Sequence, residues 1–70
     1  MRLENRYLVK PWRNGRAGDY ERVYATSKQE AGEMVLGMSL SESGSERNLR
    51  ALVRQVGEHQ MPTPFYAVAR

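Results

Sequence analysis

The chain contains no cysteine, so it holds no disulfide, no thiolate metal site and no thiol redox motif. That absence fits a reducing compartment, and a cytoplasmic location is expected. Histidine occurs once, as His59, so no His pair is available for a metal and HExxH is missing. The opening Met1-Arg2-Leu3-Glu4-Asn5-Arg6-Tyr7 lacks the apolar h-region of a signal peptide. No apolar run approaches the roughly 20 residues of a membrane-spanning helix. Seventy residues are the scale of a single domain, 1–70, with no room for a second. A domain of this size buries only about 60% of its unfolded surface, which leaves little core from which to wall a deep catalytic pocket.

Catalytic constellations are sparse as well. The serines fall at helix caps and in one polar break, without a nucleophile elbow. Gly15-Arg16-Ala17-Gly18 is no P-loop, because the Gly-Lys-Ser/Thr ending is missing. Glu30, Glu33, Glu42, Glu46 and Glu58 are spread over helix starts and surfaces. The expectation is a non-enzymatic protein that needs no cofactor and no metal.

What is present is arginine. The 11 cations outnumber 8 acids for a net charge of +3, and only Lys10 and Lys28 are lysines. A guanidinium forks onto phosphate or carboxylate and stacks on rings. Arg2, Arg6, Lys10, Arg13 and Arg16 fall in the first sixteen residues, opposed only by Glu4. The basic character is concentrated on the N-terminal hairpin, while codon bias in a GC-rich genome accounts for arginine over lysine.

The pattern predicts an α+β fold of order β-β-α-α-β, with a three-stranded sheet covered on one face by two helices. Residues 6–12 and 20–26 are short, β-branched and aromatic, and read as strands of an N-terminal hairpin. Residues 13–19 read as its loop, with Asn14-Gly15 as the turn signal. Pro11 has no N–H for a ladder, which points to a strand end or sheet edge. Ser27-Lys28-Gln29-Glu30 is a capping box in which Glu30 can reach back to the cap N–H. Ala31, Met34, Val35 and Met38 repeat on one helical face, and the helix is expected to stop near Gly37. Leu36 and Leu40 lie off that stripe. Leu49, Leu52, Val53 and Val56 read as the apolar face of a second helix, capped by Ser43 or Ser45 and ended by Gly57. Met61-Pro62-Thr63-Pro64 should run extended into a last strand over residues 65–70.

Alternation along the strands assigns Tyr7, Val9, Val23, Ala25, Phe65, Ala67 and Ala69 to the helices. The free face then carries Arg6, Leu8, Lys10, Trp12, Tyr20, Arg22, Tyr24, Tyr66, Val68 and Arg70. Leu8 and Val68 would suit a core equally, so the inverse assignment stays open. Rings among cations bind single-stranded nucleic acid, and they also dominate protein hot spots. The expected contact residues are Lys10, Trp12, Arg13, Arg16, Arg22, Tyr24 and Tyr66, with Lys10 to Arg16 forming a basic finger. Arg47, Arg50 and Arg54 form a secondary basic stripe on the outer side of the second helix, as any surface helix can show.

Leu36-Gly37-Met38-Ser39 resembles the turn of a helix-turn-helix, but Ser43 falls where that family wants an apolar residue. The segment Gly44 to Arg54 resembles the second helix of ribbon-helix-helix repressors, which place one strand before two helices. The leading expectation is a small regulatory or inhibitory protein, of the kind phages and mobile elements use, that occupies a surface of a larger host protein or nucleoprotein complex. Direct binding of nucleic acid, single-stranded or DNA, is the alternative, followed by a structural homodimer. No membrane partner is expected.

Overall fold

The computed structural model describes residues 4–68. One α-helix packs on a six-stranded antiparallel sheet. The strands are β1 (Asn5–Arg13), β2 (Arg16–Ala17), β3 (Glu21–Ala25), β4 (Leu40–Ser41), β5 (Leu49–Gln55) and β6 (Thr63–Ala67). The helix α1 spans Lys28–Leu36, and a 3-10 turn occupies Glu46–Asn48. Strands β2 and β3 both line one side of β1, and the order continues β1-β5-β6-β4. The α+β class holds, whereas three strands under two helices do not.

The N-terminal hairpin forms, but with a tighter turn than the expected loop over 13–19. Trp12 pairs with Ala17 and Arg13 with Arg16, so only Asn14 and Gly15 make the turn. Both have positive φ, 53° and 75°, as a type I′ turn requires, and its twist matches that of the flanking strands. Lys10 and Pro11 thus lie inside β1, not in a finger beyond it.

Pro11 is buried within β1, between β5 and the β2/β3 side, which corrects its expected place at an end or edge. Its carbonyl accepts from Gly18 N–H at 2.8 Å. Carbonyl and ring nitrogen of one strand residue point to the same side, so the missing N–H faces the break between β2 and β3. The register slips there by one residue, from Trp12↔Ala17 to Val9↔Glu21. A proline inside a sheet is tolerated where the neighbouring strand bulges.

The capping box forms with a one-residue offset. Ser27 Oγ accepts from Glu30 N–H at 3.1 Å, but Glu30 Oε1 accepts from the N–H of Thr26, not of Ser27. Gly37 ends α1 in the left-handed region, its N–H donating to Glu33 O. The stripe is shifted from the predicted one. Ala31 and Val35 face the sheet, but Gly32 and Leu36 join them, while Met34 is 56% exposed and Met38 is 39% exposed. A Cβ on Gly32 would lie 2.9 Å from Leu40 Cδ1 and 3.5 Å from Val53 Cγ2. Gly32 therefore sets how closely the helix lies on the sheet.

The predicted second helix does not exist: Leu49–Gln55 is β5, flanked by β1 and β6. Ala51 and Val53 are fully buried toward α1, an alternation the helical reading passed over. Gly57 lies in the turn after β5, with φ 91°, and Ser45 makes no side-chain bond to a cap N–H. The resemblance to a ribbon-helix-helix second helix falls with this segment. The last strand forms at Thr63–Ala67, beginning before the expected 65–70 and leaving Val68 outside it; Ala69 and Arg70 lie outside the described residues. The core is Tyr7, Val9, Ala25, Ala31, Leu40, Ala51, Val53 and Phe65, so the predicted face assignment stands for Tyr7, Val9, Ala25 and Phe65. Among the described residues no helix is long and apolar enough to cross a membrane.

Two side chains of α1 also close the β4 edge. Gln29 Nε2 donates to Leu40 O, and Glu33 accepts from Leu40 N–H, each at 2.9 Å. At the opposite end Glu58 joins the turn after β5 to the helix start. It accepts from Gln55 N–H at 2.9 Å and from Lys28 Nζ at 3.0 Å. The Gln55 N–H first, and the Lys28 ammonium second, hold its carboxyl below the usual range.

Two outcomes are expected. Gly32→Val overpacks the helix–sheet contact and lowers stability by about 1–3 kcal/mol, read as a shifted midpoint in chemical denaturation. Because the folded pKa of Glu58 is depressed, its stabilisation is present above the unfolded glutamate pKa and is lost as pH falls through the folded value. In acid titrations of Tm, Glu58→Gln should flatten the descent below the unfolded glutamate pKa and lower Tm at neutral pH. An unchanged profile would remove this clasp from the account.

Candidate functional interface

The antiparallel registers place paired residues on the same face. Opposite α1, one cross-strand row runs Arg22, Leu8, Arg54 and the next runs Lys10, Leu52, Pro64. Arg6 pairs with Tyr24 at one end, while Trp12 lies toward the other. Tyr66 stands opposite Leu49. Lys10 Nζ lies 5.4 Å from the Tyr20 ring centroid, a cation–π contact. Glu21 is the only carboxylate in β1, β3, β5 and β6. It pairs with buried Val9 and so belongs to the helix side. Arg6, Lys10, Arg22 and Arg54 therefore meet no acid from these strands on their own face.

The expected contact residues divide between this face and the hairpin end. Lys10, Trp12, Arg22 and Tyr24 take the free face, with Tyr24 59% exposed. Tyr66 is half-buried, and Gly44 lies against it: a Cβ there would be 2.7 Å from Tyr66 Cβ. Arg13 and Arg16 pair on the helix side of the hairpin, not on the free face. Arg13 is tied back, its Nη2 donating to Val35 O at 3.4 Å. There its charge also meets the negative end of the helix dipole.

The Arg47, Arg50, Arg54 stripe is not a helical face and is not one group. Arg54 lies in the centre of the free face beside Leu8. One end of its guanidinium donates to Glu58 O, while Nε is buried without a partner. Arg50 sits where the β5/β6 register shifts, between Leu49 and Ala51. Arg47 is exposed in the 3-10 turn. Arg50 Nη1 donates to Leu49 O at 3.0 Å and to Arg47 O at 3.4 Å.

These pieces meet at the hairpin end of the sheet. A recess of about 480 Å³ is lined by Trp12, Arg13, Asn14, Gly15, Leu36, Met38, Arg47 and Arg50. It combines the hairpin tip, the helix end and the start of β5, three segments far apart in sequence. Residue types alone marked Arg13, Arg47 and Arg50, but only the β1–β5 pairing brings them together. Leu36 and Met38, expected respectively off the helix stripe and on it, are its apolar wall. Among the described residues no three His, Cys, Asp or Glu side chains gather as a metal site.

Comparison with protein-family models, with curated proteins and with solved structures finds no match. The geometry alone therefore carries the functional reading.

Proposed function

We propose that this chain is a non-enzymatic regulatory or inhibitory binding protein that lays its free sheet face on an acidic surface of a larger protein. The aliphatic centre of that face carries the reading. Leu8, Leu52 and Pro64 occupy neighbouring positions on β1, β5 and β6, bordered by Lys10, Arg22 and Arg54. Protein interfaces combine an apolar, water-excluding centre with arginine and aromatic anchors. The cations would steer the encounter and select an acidic partner.

Single-stranded nucleic acid is the second reading, favoured by the cation excess and by the ring-and-cation pair Arg6↔Tyr24. A base-stacking platform wants its rings on the central strands. Here Tyr24 stands on edge strand β3, and Trp12 and Tyr66 lie toward one end. Self-association through this face is disfavoured: a two-fold interface apposes the same patch, and four cations would meet four.

Lys10→Glu combined with Arg22→Glu reverses two charges without touching the buried core. Immobilised wild-type protein should retain a protein partner from nuclease-treated lysate, and the double variant should weaken that binding roughly tenfold or more, with an unchanged circular dichroism spectrum. Equal retention by both forms would remove this face as the interface. A labelled single-stranded oligonucleotide that binds at low salt and is released steeply as salt rises would transfer the face to the second reading.

A further inference from the structure

We propose that the recess at the hairpin end is a separate ligand site for a phosphate monoester carried on a planar ring, of the nucleoside monophosphate kind. It does not depend on the docking reading, since it uses neither Lys10 nor Arg22.

Charge comes first. Arg13, Arg47 and Arg50 line one recess whose other walls are Trp12, Asn14, Gly15, Leu36 and Met38, with no carboxylate among them. Three like charges lining one recess favour an anion between them. A carboxylate brings one charge and two oxygens, enough for one fork. A phosphate monoester carries about −1.5 to −2 at neutral pH and three acceptor oxygens, which matches two or three forks. The number of arginines therefore selects phosphate over carboxylate.

Positioning comes second. Arg13 is held by Val35 O, and Arg50 by Leu49 O and Arg47 O. Each guanidinium has five N–H donors, so both keep donors free after these bonds. The carbonyls fix where the cations stand, so little side-chain freedom is lost on binding.

The remaining walls say what the phosphate is attached to. Leu36, Met38 and Trp12 make up the less polar part of the lining, which a bare ion would leave unused. A flat ring stacked on Trp12 covers it, and a cavity of about 480 Å³ is within the roughly 300–1,000 Å³ of small-molecule sites. Asn14 is the only uncharged polar side chain in the lining, so little reading of the base is expected.

Trp12 is the only tryptophan and borders both the recess and the free face, so its fluorescence is read together with the Arg47→Gln and Lys10→Gln variants, which tell the two apart. AMP should quench it at low salt, binding about tenfold tighter than inorganic phosphate, the worth of one stacked ring. Adenosine should quench only weakly. Arg47→Gln, an exposed position, should weaken AMP about tenfold or more, while Lys10→Gln leaves it unchanged. A 5′-phosphorylated oligonucleotide that binds where its unphosphorylated form does not would extend the same chemistry to a strand end. Absence of quenching by AMP at millimolar concentration overturns the proposal. So does equal binding of adenosine or inorganic phosphate, or indifference to Arg47→Gln. Because Lys10→Gln and Arg47→Gln separate the two surfaces, failure here leaves the docking reading to its own test.

Discussion

The ladder between β1 and β5 governs the rest of this molecule. It joins the ninth residue to the fifty-third, Val9 to Val53, and both are fully buried under the helix. Once that pair is set, side-chain alternation leaves no choice for its neighbours. Pro11 and Ala51 go inward, while Leu8 with Arg54 and Lys10 with Leu52 go outward. A slip of one residue would bury the cations and expose the valines. Burying an unpaired charge costs several kcal/mol, so the hydrophobic pairs and the charged pairs enforce the same register.

Among the described residues one nine-residue helix covers one side of this sheet. Gly32 lets it lie close, and Ala31, Val35 and Leu36 complete the contact. A core this thin leaves the opposite face to solvent or to a partner. The carboxylates of the helix and the cations at the centre of the free face lie on opposite sides. Glu30 and Glu33 belong to the helix, while Arg6, Lys10, Arg22 and Arg54 lie across the sheet from it. That asymmetry gives an encounter with an acidic surface a preferred orientation.

The irregularities of the sheet lie beside its functional features. Pro11 interrupts the ladder at Gly18, between β2 and β3, and Tyr20 leaves the strand there to meet Lys10. The register shift near Arg50 lets the start of β5 approach the hairpin tip. Bulges re-aim side chains, and in this chain they furnish one edge of the face and one wall of the recess.

Several features were legible in the residues alone, because their causes are local. Asn14-Gly15 specifies its turn through positive φ, Ser27 and Gly37 bound the helix through cap chemistry, and period-two alternation sorts Tyr7 and Val9 from Leu8 and Lys10. The segment from Leu49 to Val56 was not legible. Leu49, Leu52, Val53 and Val56 satisfy a helical period, while Leu49, Ala51 and Val53 satisfy a strand period. Local preference does not separate the two; the slot between β1 and β6 does, because unpaired strand edges there demand backbone partners. The helix stripe was misplaced for a related reason, since a glycine counts as a weak helix former until a sheet lies against it. By itself the sequence determined the turn, the caps, the excess of arginine and the alternation of the hairpin. Only the tertiary structure decided that Arg54 joins the free face while Arg13, Arg47 and Arg50 share a recess, because distant strands meet through backbone hydrogen bonds that carry no mark in the side chains.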